Sequence, residues 1–106
     1  MISDKALEEA VDYLEESVEA LAKKESERWY LEEFTGSLKA QIMAEHLAEP
    51  LGAQERYAKN DIRFKNHLKA CEIAVYEHCK EKYLREAKKI KIDVWRTQQA
   101  SNRERL

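Results

Sequence analysis

Apolar side chains recur at helical spacing almost from the start of this chain. Leu7, Val11, Leu14, Val18 and Leu21 alternate steps of four and three. That is the a/d pattern of a helix packing along a seam against another helix. Ser3 and Asp4 supply a hydroxyl cap and a first-turn acid just ahead of it. Ala10 and Ser17 flank the seam and are small enough to let a second helix come close. Glu25 and Arg28 occupy the next two seam positions, so the register breaks there. A new stripe of Leu31, Phe34, Leu38 and Ile42 begins one face over, a phase shift of the stutter type. Gly36 lowers helix propensity but leaves this stripe in phase. The pattern predicts one helix over about residues 4–48, with a break at Gly36 as the alternative.

Pro50 and Gly52 end that helix, because proline cannot extend it and glycine relaxes the turn. A short helical segment, residues 53–59, follows. Asn60 and Asp61 then cap a second long helix over residues 61–101. Its apolar positions are Phe64, Leu68, Cys71, Val75, Cys79, Tyr83, Ala87, Ile90 and Val94. Two long helices joined by a short connection lie antiparallel. The expected fold class is therefore all-α, a long antiparallel helical hairpin forming a single domain over residues 1–106. Such a hairpin leaves apolar residues off its seam. Ile73, Leu84, Ile92 and Trp95 fall on the flank of the second helix, and Tyr13, Trp29 and Tyr30 on the first. An apolar stripe of that length marks an interface, and these seven are the predicted contacts of a homodimer, a four-helix bundle.

Charge orients the hairpin. The net formal charge is −2, but it is unevenly spread. Residues 1–34 carry 4 basic and 11 acidic side chains, whereas residues 85–106 carry 7 basic and 3 acidic. An antiparallel arrangement sets Glu8, Asp12, Glu15, Glu16 and Glu19 opposite Arg85, Lys88, Lys89, Lys91 and Arg96. Exposed pairs contribute only about 0–1 kcal/mol each, so they select orientation more than they stabilise. The basic C-terminal segment is the alternative functional candidate. Lys88, Lys89, Arg96, Arg103 and Arg105, with Gln98, Gln99 and Asn102, are groups that contact phosphates or base edges. Few of them escape pairing, which implies weak, salt-sensitive nucleic-acid binding.

The remaining chemistry is sparse. His67, Cys71 and His78 offer three donors where a structural zinc site takes four. No Glu-x-x-His motif of the di-iron bundles occurs. Two glycines cannot build a phosphate-binding loop, and no serine sits in a nucleophile elbow. The expectation is a protein without enzymatic activity and without a cofactor. Cys71 and Cys79 lie eight residues apart on one helix, about 12 Å, too far to bridge. Reduced thiols, no signal pattern and a longest apolar run of four residues, 73–76, point to the cytoplasm and away from membranes.

The stretches ERWYLEEF (27–34), LKAQIM (38–43), AQERYA (53–58) and VWRTQQASNR (94–103) follow one another along the chain. In that order the chain resembles a group of small, helical, largely uncharacterised proteins of tailed bacteriophages and prophages. The resemblance covers most of the length, and its most specific part runs from Trp95 to Arg103. It implies a non-enzymatic accessory role in the bacterial host cytoplasm, in phage DNA replication or recombination. That role would act by self-association and by contact with a host or phage protein. The group carries over no catalytic or ligand residues. It usually lacks a glycine at the position of Gly36, which favours a continuous helix.

Overall fold

The computed structural model describes residues 1–104. Among these residues every regular element is helical: α1 (Asp4–Glu16), α2 (Val18–Met43), α3 (Leu51–Asn60), α4 (Ile62–Glu104) and a 3₁₀ turn, Ala44–His46. The fold is an all-α helical hairpin, as the periodicity predicts. It contains two compact units, Met1–Lys23 with Cys79–Leu106, and Lys24–His78.

Local chemistry sets the helix ends. Ser3 Oγ accepts the Ala6 N–H at 3.1 Å and opens α1. Asp61 Oδ1 accepts the Arg63 N–H at 2.8 Å and opens α4. The first long helix closes earlier than residue 48, because the chain before Pro50 is pushed out of the helical region. It tightens into the 3₁₀ turn after Met43. Pro50 itself, extended at ψ 154°, caps α3, and its carbonyl accepts from both Ala53 and Gln54 at 3.0 Å. The short helix therefore begins at Leu51 rather than at 53. At its far end α4 continues to Glu104, beyond the expected residue 101.

Gly36 neither breaks nor ends α2, which is helical throughout. The interruption lies at Ser17 instead, between α1 and α2. Arg85 explains it. Its Nη1 donates to the Leu14 carbonyl at 2.7 Å and to Ser17 Oγ at 2.6 Å. In an unbroken helix that carbonyl serves the N–H four residues on. A side chain inserted at such a point is a standard cause of a local break.

In the first unit Leu7, Ala10, Leu14, Ser17 and Leu21 are half-buried or buried on one side. Glu81, Arg85, Lys88, Ile92, Trp95 and Gln99 occupy the matching places on α4. Both sets alternate steps of three and four. The small residues Ala10 and Ser17 hold the seam, while Val11 and Val18, expected there, are exposed at 38% and 55%. Arg85 donates to Ser17 Oγ at 2.6 Å, so the Ser17 side turns inward and Val11 and Val18 turn out.

In the second unit the seam is Lys24, Arg28, Leu31, Thr35, Leu38 and Ile42 against Phe64, His67, Cys71, Ala74 and His78. The spacing of three and four runs on along α2, so the predicted stutter does not occur. Lys24 and Arg28 hold seam positions because their heads find polar partners, Glu77 and His78. Of the apolar positions expected on the second helix, Leu68, Tyr83, Ala87, Ile90 and Val94 are exposed rather than in the seam.

Candidate functional site

Buried polar side chains are the first place to look for chemistry, because each must be satisfied. Glu81 is buried in the first unit and accepts a 2.9 Å hydrogen bond from the Tyr13 hydroxyl. Burial, followed by that bond to the Glu81 carboxylate, pushes the Tyr13 phenol above its ordinary range. Lys88 lies 5.6 Å above the Tyr13 ring. Trp95 Nε1 donates to Asp4 at 3.2 Å, and the Ile2 N–H donates to Gln98 Oε1 at 3.0 Å. These contacts close the first unit from Ile2 to Gln98.

In the second unit Thr35 Oγ1 donates its single hydrogen to the Leu31 carbonyl at 3.1 Å. The same hydroxyl contacts His67 Nε2 at 2.8 Å. Cys71 Sγ lies 3.4 Å from the same nitrogen. Thr35, His67 and Cys71 form one packed polar cluster. Phe34 stacks edge-on against the His67 ring at 5.7 Å. His78 Nδ1 meets Arg28 Nη1 at 3.3 Å. Arginine only donates, so this nitrogen accepts. His67 and His78 thus belong to different networks, and with Cys71 they do not converge on a metal position. Among the described residues no group of three or more potential metal ligands comes together.

The basic candidates separate as well. Arg85 donates to Leu14 and Ser17, Lys88 covers Tyr13, and Arg96 pairs with Asp93 on its own helix at 3.8 Å. Their partners differ from the carboxylates expected across the hairpin. Lys89 and Arg103 are exposed on α4. Arg105 lies outside the described residues.

The predicted interface residues divide in two. Ile92 and Trp95 are half-buried at seam positions of the first unit, not on its flank, and Tyr13 is likewise half-buried. The Ala10–Ser17 side of α1, not the Val11–Val18 side, turns inward, and Ile92 and Trp95 of α4 turn inward with it. Leu84, Trp29, Tyr30 and Ile73 are exposed, the last three at 62–63%.

On the second unit Ile73 lines one groove and Tyr30 borders it. Lys24, Glu27, Leu31, Ala70, Ile73, Ala74 and Glu77 line a groove of about 250 Å³ between α2 and α4. Tyr30 with Ser26 borders it on the α2 side, and Tyr76 with Lys69 and Glu72 on the α4 side. Tyr30 stacks on Phe34 at 6.2 Å, which holds its ring at the rim. The floor is apolar and the rim carries both charge signs, as Lys24 and Glu77 at 3.8 Å illustrate. Sequence reading named Tyr30 and Ile73 but missed Tyr76, Ala70 and Ala74. The small alanines carry no signal beyond their spacing, yet they make the floor low enough to be a groove.

No family model, no curated protein and no solved structure matches this chain. Among the described residues no helix is long and apolar enough to cross a membrane.

Proposed function

We propose that the protein is a non-enzymatic interaction protein that works by self-association and by holding a protein partner. The observation that carries this reading is the apolar groove with Tyr30, Ile73 and Tyr76 at its edges. Large apolar side chains gathered at a groove with a charged rim have the composition of a contact surface. The polar side chains inside both units are engaged in hydrogen bonds that fix helix register. The resemblance to phage and prophage proteins adds an accessory role in DNA replication or recombination to this proposal. Light scattering on the full chain tests it: a dimer at micromolar concentration is expected, and a monomer throughout that range rejects self-association.

A second reading, weak nucleic-acid binding, draws on the exposed Lys89 and Arg103 of α4. It predicts a gel shift at low salt that fades steeply as salt rises. No shift at low salt removes it.

A further inference from the structure

Helix α4 has a second stripe in the first unit, on the face away from α1. Tyr83, Ala87, Ile90, Val94 and Thr97 follow one another at steps of four, three, four and three. All five are exposed, Tyr83 at 70% and Ile90 at 55%. This is the spacing of the inner seam, Glu81, Arg85, Lys88, Ile92 and Trp95, repeated on the opposite side of the same helix. A sustained 3–4 repeat of apolar residues matches another helix running along it, since each step keeps the stripe facing its partner.

The flanks say which helix and in which direction. At about 100° per residue, Glu86 and Asp93 border the stripe on one side, and Leu84 and Lys91 on the other. In heptad terms the acids take g positions and Lys91 an e position. In a parallel, in-register pair a g residue meets the e residue five places on in its partner. Glu86 then faces Lys91 of a second copy, and Lys91 faces Glu86 of that copy. The same rule sets Cys79 against Leu84. An antiparallel pair would bring Glu86 toward Asp93, like against like.

We propose that this outer stripe of α4 is a parallel coiled-coil seam for a second copy of the chain, with Glu86–Lys91 pairs on both sides. The proposal rests on the self-association reading and names its surface and direction. A seam of little more than two heptads is short, so the dimer is reversible.

Sedimentation equilibrium of the full chain tests it, with circular dichroism to establish that each variant keeps its helix content. Ile90→Glu is expected to abolish the dimer. Glu86→Lys and Lys91→Glu should each weaken it by roughly three- to tenfold, because each places like charges at two symmetric contacts. The double variant E86K/K91E should return to within roughly twofold of the unaltered chain. Loss in both single variants without recovery in the double overturns the pairing. If Ile73→Glu dissociates the dimer and Ile90→Glu does not, the copies meet through the groove. Self-association then stands and this seam falls. A monomeric unaltered chain removes both.

Discussion

The two units of this hairpin use the same heptad spacing but fill it with different chemistry. In the first unit the seam residues of α4 include a carboxylate, a guanidinium and an ammonium group: Glu81, Arg85 and Lys88. They are satisfied by a phenol, a backbone carbonyl, a serine and an aromatic face. In the second unit α4 presents Phe64, Cys71, Ala74 and two imidazoles, and Ile42 is wholly buried. Charged seam groups fix register strongly, because an unmade bond to them is costly, but they contribute little burial. Apolar groups contribute burial but tolerate sliding. On α4 the first unit is accordingly built for alignment and the second, whose charged seam groups Lys24 and Arg28 lie on α2, for cohesion.

Removing cohesion should have the largest effect. Ile42→Ala is expected to destabilise by about 2–4 kcal/mol, since the side chain is fully buried and a cavity remains. Chemical denaturation gives the total, and hydrogen exchange should show the loss centred on the second unit. An equal loss of protection in both units would break the distinction. Arg85→Ala comes next, at about 1–3 kcal/mol, because the Leu14 carbonyl and Ser17 lose their donor. Exchange should rise around Leu14 to Val18, where the helix is already interrupted.

Gly36→Ala has the opposite sign. The position is helical and exposed, and an added Cβ meets nothing within 4 Å. A gain of about 0.5–1 kcal/mol is expected in thermal or denaturant unfolding. A loss would show that the glycine is needed for a close approach.

The smallest effects should come from pH, and they separate the units by sign. Hydrogen bonds from Arg63 hold the Asp61 carboxyl down at about 2. A depressed carboxylate stabilises above its ordinary range near 4, and that contribution is lost as pH falls toward about 2. The Tyr13 phenol is raised, so its contribution is present below the ordinary value of 10.0 and is lost as pH climbs through the raised one. NMR titration of both side chains checks this. Asp61 is half-buried at the surface and its partner Arg63 is exposed, so solvent screening keeps its effect on stability small.

Much of the fold was legible along the chain because helix periodicity and end signals are local. Ser3, Asp61 and Pro50 punctuate the helices through bonds to residues two to four places away, which sequence spacing expresses directly. The choice of seam face was not legible. Ala10 and Ser17 look too small, and Lys24, Arg28, Glu81 and Arg85 too polar, to be preferred over Val11, Val18, Tyr83 and Ile90. Of the candidate surface, Tyr30 and Ile73 could be named from their position off the expected seam, but the groove that α2 and α4 form over Ala70 and Ala74 could not.

Composition and periodicity alone therefore determine that this chain is helical, that it folds back on itself and where its first and last helices start. They also mark it as carrying more apolar surface than one hairpin covers. Only the tertiary structure decides which stripe turns inward. That choice depends on whether a long polar side chain can reach a partner across the seam, and such a partner lies 32 to 71 residues away. Once Arg85 reaches Leu14 and Ser17, and His67 reaches Thr35, the polar face goes inside. Tyr83, Ile90 and Val94 are left on the outside of α4.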